Sequence, residues 1–309
     1  MLRILKLPAF AKINWMLNVL GRRPDGYHQI ETVLQTVTLH DTLSFWGSAD
    51  PHITCSCDDP DLPGDRSNLV SRAAHALKSR YSVAEGALIH LEKRIPVGSG
   101  LGGGSSDAAV ALIGLNHIWD LKLSADQLGE VAAQLGADVP FFLYGGTALG
   151  LGTGTEIKPL TDAPAKFLLV LMPNTKVSTK MAYDSLNAPS LTTVKRDTIL
   201  SSSRGPADFD LSYPYGLKND FESVVFRSHP EIERAKAALV KAGARHALLA
   251  GSGASVFGVL EHQEAQERAI QAIEMEAGWR LFPCTTVGRE RHTRAMEPGS
   301  EMPSRPAAD

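Results

Sequence analysis

Between Gly98 and Gly104, five of seven residues are glycine, within the stretch PVGSGLGGGSSDAA. A cluster of this kind sets two conditions. The backbone must visit positive φ angles, and something must approach it more closely than a Cβ would allow. The flanks say where the run sits. Ala87 to Ile95 reads as a strand entering it, and Ala109, Leu112, Ile113, Leu115, Ile118 and Trp119 recur at helical spacing after it. A glycine turn feeding a helix that starts near Ser105 aims free amides and the positive end of a helix dipole at one point, which suits a phosphate. Ser105 and Ser106 add hydroxyl groups. A hinge that only permits tight packing is the plainer reading, but simple turns need one or two glycines.

The kind of phosphate site can be narrowed. A P-loop needs Lys-Ser or Lys-Thr after its last glycine, and Gly104 is followed by Ser105. Gly98 to Gly103 satisfies G-x-G-x-x-G, but a dinucleotide fold then needs a second strand ending in an acidic residue. Asp120 has the right distance and the wrong context, because Ser124 opens another helix over Ala125 to Leu135. Neither H-R-D nor D-F-G occurs, which argues against a protein kinase.

Three further clusters stand out: AFAKIN at 9–14 with RRPDGYH at 22–28, GADVPFF at 136–142, and AGSGASVFG at 250–258. Lys12 lies within an apolar strand, where it either snorkels at an edge or serves a site. Asp138 follows a helix closed by Gly136 and is either a turn residue or a functional carboxylate.

Strand and helix signals alternate along the whole chain, and a Gly/Thr/Pro-rich stretch near 146–165 marks a boundary. Beyond it, KFLLVLM at 166–172 reads as a buried strand, SSSRGPA at 201–207 as a mobile loop, and His246 to Leu260 as a hairpin. Helix faces occur at Ile232, Ala235, Leu239 and Ala242, and at Ala265, Ala269, Ala272 and Ile273. This order predicts an α+β fold in two domains, 1–160 and 161–287, the second a split β-α-β sandwich of ferredoxin-like type. Residues 288–309 show no periodicity and are expected to be disordered.

A net charge of -3 over 309 residues gives no reason to expect nucleic acid or an anionic membrane as partner. No run approaches the roughly 20 apolar residues of a membrane span. Three cysteines, Cys55, Cys57 and Cys284, do not make a metal knuckle. The expectation is a cytoplasmic chain, a monomer or weak homodimer, with reduced thiols.

Together the four clusters resemble the GHMP kinase superfamily of small-molecule kinases. DGYH and GADVPFF resemble the branch whose acceptor is a cytidylyl-methylerythritol. The resemblance implies an N-terminal domain like domain 2 of ribosomal protein S5, a ferredoxin-like C-terminal domain, and a cleft between them where ATP, with Mg2+, meets the acceptor. It places catalytic roles on Lys12 and Asp138. The ATP loop falls on Pro96, Val97, Gly98, Ser99, Gly100, Leu101, Gly102, Gly103, Gly104, Ser105 and Ser106, and Asn68 falls near the adenine. Asn14 shares the strand face of Lys12 and would look into the same cleft. Tyr27 would stack on the cytosine, His28 would hydrogen-bond its edge, and Tyr183 would close its other face. GSGAS at 251–255 falls on the acceptor side. No acidic magnesium ligand can be placed, so the metal ligands are left unassigned. Two alternatives remain at this point: a homoserine, mevalonate or sugar kinase of the same superfamily, and a non-catalytic nucleotide-binding regulator.

Overall fold

A computed structural model describes residues 4–191 and 217–301. The expected loop at 201–207 lies outside the described residues.

Two long strands, β1 (Leu5–Arg22) and β2 (His28–Ser48), pair antiparallel and form the spine of the first sheet. Along one edge, β2 carries β4 (Gly86–Glu92) and then β5 (Thr147–Gly152). Short β3 (Ile53–Cys57) and β6 (Glu156–Pro159) extend these. One face of this sheet is covered by α1 (Leu69–Arg80), α2 (Gly103–Ile118), α3 (Ala125–Leu135) and α4 (Phe141–Tyr144), whose apolar side chains share a core with Leu7, Leu43, Phe45 and Ile89. α3 starts as expected: the Ser124 hydroxyl accepts from Gln127 N, and the Gln127 side chain accepts from Ser124 N, a reciprocal capping box.

The second sheet begins with β7 (Phe167–Met172) and adds β9 (His246–Leu249), β10 (Val256–Leu260) and β11 (Arg280–Thr285). Its order, β11-β7-β10-β9, is antiparallel throughout, as in a ferredoxin-like sandwich. KFLLVLM is apolar without alternation because both faces are covered. Leu168 and Val170 pack towards the first sheet, while Leu169 and Leu171 pack towards α7 (Pro230–Lys241) and α8 (Gln263–Ala272). The layers run helix, sheet, sheet, helix. Of the remaining elements, α5 spans Thr179–Ser185, α6 spans Glu222–Ser228, and β8 (Lys218–Asn219) pairs with β1 in the first sheet. Among the described residues, no helix is long and apolar enough to cross a membrane.

The expectation of disorder from residue 288 is corrected. Arg289–Ala295 forms α9, which returns to the first unit. Arg289 donates from its amide to Asp162 and from its guanidinium to the carbonyls of Leu160 and Thr147, the latter at 2.6 Å. Val287 N donates to Thr36 O at 2.8 Å. His292 is buried beside Phe10, with ring centroids 5.7 Å apart. The sequence RERHTRA hides this helix because polar bonds anchor it, with no apolar stripe to betray it.

Burial, then the charge of Arg289, pushes the His292 imidazole down to about 4 from an ordinary 6.5. Between those two values the unfolded chain holds the proton and the folded chain does not. Stability therefore falls as pH drops through that window, by on the order of 3 kcal/mol in total. His292→Leu should flatten the loss of Tm between pH 6.5 and 4. An unchanged slope would show that His292 does not carry it.

Candidate active site

A cavity of about 580 Å³ opens between the two units. The glycine run forms its floor. Gly98, Gly100 and Gly102 all take positive φ, at 70°, 80° and 74°. Gly102 is the N-cap of α2 and carries no side-chain cap, and the first-turn residues Gly103, Gly104 and Ser105 line the cavity. The helix therefore starts two residues earlier than expected, and its opening amides are available to an anion. Two glycines answer the question of close approach. A Cβ on Gly100 would lie 2.0 Å from Ala250 O, in the turn between β9 and β10. A Cβ on Gly102 would lie 3.0 Å from Lys12 Cγ and 2.8 Å from the Phe142 ring. The run thus lets a phosphate approach on one side, and on the other lets a second glycine turn and the Lys12 stem close against it.

Lys12 reaches the cavity because of a register break. Before it, Leu5, Leu7 and Ala9 face the helices; after the shift between Phe10 and Ala11, residues Ala11, Ile13 and Trp15 face the second sheet. That leaves Lys12 and Asn14 on the cavity side, both buried. Lys12 Nζ donates to Asn14 Oδ1 at 2.9 Å, and Asn14 Nδ2 donates to Thr32 Oγ1 at 2.8 Å. Asp138, in the turn between α3 and α4, brings Oδ2 to 3.4 Å from Lys12 Nζ while its side chain remains 38% exposed. A fixed ammonium, a carboxylate open to a reactant and an anion floor share one cavity.

Residues 68–146 match the GHMP kinases N terminal domain, and residues 209–277 match the GHMP kinases C terminal family. The chain is 44% identical over 260 residues to the 4-diphosphocytidyl-2-C-methyl-D-erythritol kinase of Pelotomaculum thermopropionicum, covering 83% of this chain and 89% of that one. It is 40% identical to the enzyme of the same name from Lachnoclostridium phytofermentans, over 86% of this chain and 91% of that one. The chain belongs to the 4-diphosphocytidyl-2-C-methyl-D-erythritol kinase family of the GHMP kinases. A crystal structure of 4-(cytidine 5'-diphospho)-2C-methyl-D-erythritol kinase superposes with a TM-score of 0.72 at 33% identity, over 92% of this chain and 99% of that one.

In this GHMP kinase the remaining expected residues divide. Pro96, Val97, Gly98 and Ser99 line the cavity, whereas Leu101 is fully buried between the two sheets and Ser106 is buried with its hydroxyl unpartnered. Asn68 lines the cavity but is the N-cap of α1: its Oδ1 accepts from Val70 N and its Nδ2 donates to Pro63 O. The cap engages each polar group once, leaving each one further hydrogen-bonding site. Tyr27 is 67% exposed in the turn after β1. His28 stacks on Tyr183 at 4.7 Å between centroids, which leaves no room for a base between them. One face of the Tyr183 ring is therefore taken by His28. Burial, then the nearby charge of Asp138, pushes the Tyr183 phenol up to about 12. Burial, then the charge of Arg22, lowers the His28 pKa, so its ring is neutral near pH 7 and has one donor and one acceptor nitrogen.

Sequence reasoning missed a buried triad beneath the loop. Lys93 Nζ bonds Asp41 Oδ2 and, at 2.9 Å, Asp107 Oδ2. Asp41 Oδ1 also accepts from Ile95 N at 2.7 Å, pinning the chain where it enters the glycine run. Burial raises Asp107 well above the usual carboxylate range, and the two carboxylates hold Lys93 charged against its own burial. The available signal was Asp41 inside the apolar run of β2, a charge with no local partner.

Proposed function

We propose that this protein transfers the γ-phosphoryl group of ATP to the 2-hydroxyl of 4-diphosphocytidyl-2-C-methyl-D-erythritol. The observation that carries the chemistry is the Lys12–Asp138 pair, 3.4 Å apart beside the uncapped N-terminus of α2. The ATP phosphates sit on the loop amides at 98–105. Asp138 accepts the proton of the attacking hydroxyl, and Lys12 offsets the negative charge on the acceptor oxygen. Asn14 keeps the ammonium aimed at that point. Ser105 and the unpartnered Oδ1 of Asp107, both on the cavity wall, are the oxygen donors suited to a magnesium ion. Bound there, the ion would neutralise the phosphates.

At the acceptor end, Tyr27 supplies an exposed ring for the cytosine and His28 reads its edge, held by Tyr183. Coupled ADP release with the cytidylyl acceptor tests the activity. Turnover is expected with that acceptor, and none with homoserine, mevalonate or galactose. ADP release with one of those instead would overturn the reading, and ATP binding without turnover would favour a regulator. Tyr27→Ala should raise the acceptor KM roughly 5- to 100-fold, the worth of one base–aromatic stack, and leave the KM for ATP unchanged. Equal weakening of both nucleotides would remove Tyr27 from the cytosine.

A further inference from the structure

Asn219, in β8, is buried at 4% exposure, and both polar groups of its side chain are hydrogen-bonded. Its Nδ2 donates to Leu249 O at 2.8 Å and to Gly251 O at 2.7 Å. Its Oδ1 accepts from Phe221 N at 3.0 Å. The segment that carries it is tied to β1 from the other side: Asn219 pairs with Leu17, Asp220 N donates to Leu17 O, and Asp220 Oδ2 accepts from Val19 N. The segment Asn219–Asp220 thus joins the strand that bears Lys12 to the glycine turn of the second sheet, its backbone and Asp220 holding the strand and the Asn219 side chain holding the turn.

Both arms end at the cavity. On the donor arm, the turn packs against Lys12: a Cβ on Gly251 would lie 3.2 Å from Lys12 Nζ and 2.8 Å from Gly100 O. Asn219 fixes the Gly251 carbonyl, and with it the turn against which Lys12 packs, while Lys12 Nζ bonds Asn14 and faces Asp138. On the acceptor arm, Phe221 meets the Tyr183 ring edge-on at 4.8 Å, and Tyr183 carries His28.

We infer that Asn219 is a positioning residue for phosphoryl transfer, with one arm that directs the Lys12 ammonium and another that braces the wall behind the acceptor base. The inference rests on the kinase reading above, and the parent enzyme's turnover of the cytidylyl acceptor checks that reading separately. Asn219→Asp keeps the acceptor arm and sets a carboxylate oxygen against two carbonyls; Asn219→Ala removes both arms. For Asn219→Asp we expect kcat about 10²-fold lower, the cost of roughly 1 Å of misplacement, with little change in acceptor KM. For Asn219→Ala we expect the same fall in kcat and, in addition, a rise in acceptor KM. A merely structural role would lower the active fraction of both variants and leave acceptor KM alone in both. Identical acceptor KM values for the two variants, or a parental kcat per folded molecule in an active parent background, would overturn the inference. Should Asn219→Ala fail to fold, Phe221→Leu tests the acceptor arm. It should raise acceptor KM more than it lowers kcat, and an unmoved acceptor KM would refute that arm.

Discussion

Asp138→Asn should lower kcat by about 10²–10⁴-fold with the KM for ATP nearly unchanged, the range expected when a positioned general base is lost. The substitution keeps the shape of the side chain and removes both its capacity to take a proton and its charge beside Lys12. Lys12 retains its bond to Asn14 at 2.9 Å, so the ammonium stays in place. The glycine loop proposed for ATP does not depend on Asp138 either, since its entry is pinned by Asp41 through Ile95 N. Loss of ATP binding in the variant would therefore mean that Asp138 organises the phosphate site. Near-parental turnover would remove it from the base role.

Gly100→Ala should have the second large effect, on stability as well as on turnover. Its φ of 80° is left-handed, and its Cβ would lie 2.0 Å from Ala250 O. Left-handed backbone costs an alanine roughly 1–2 kcal/mol. The contact adds to this, because the atom it meets is backbone and cannot rotate away. Relief requires the two glycine turns to separate, and the neighbouring bond from Ser255 N to Ser99 O, at 3.0 Å, goes with them. Gly98→Ala is the control: its φ of 70° is similar, but no atom lies within 4 Å of its Cβ position. The Tm of Gly100→Ala should fall well below that of Gly98→Ala. Equal Tm losses would show that the turns are not interlocked. In turnover, the displacement should cost about 10²-fold or more in kcat, because Lys12 packs on the same pair of turns.

The roles of the two halves of the glycine run separate here. The first half, through Gly100, closes the two domains against each other; the second, from Gly102, opens α2 towards the cavity. The run reads as one feature in the sequence because both uses need the same property, a backbone without Cβ. Which glycine does which depends on Ala250, 150 positions away in the chain, and on Lys12.

Local physics was legible in advance. The strand entering the run, the helix leaving it, the Ser124 cap and the hairpin around GSGAS are all decided within a few residues of where they occur. Asn68 shows the limit of such reading: it is expected near the adenine, and the structure makes it the N-cap of α1. The helix at Arg289–Ala295 escaped because its anchors, Asp162 and Thr147, lie more than 120 residues away.

The sequence by itself determined the glycine turn, the helix it feeds, the Ser124 cap and the hairpin around GSGAS, because turn conformation, capping and hydrophobic period are properties of short segments. Only the tertiary structure decided the facing of Lys12, the union of Lys93 with Asp41 and Asp107, the seating of His28 on Tyr183, and the two arms of Asn219. Each of these joins groups brought together by a register break or by packing between sheets. Such long-range contacts follow from closing the whole chain around its cores, and no short segment specifies them.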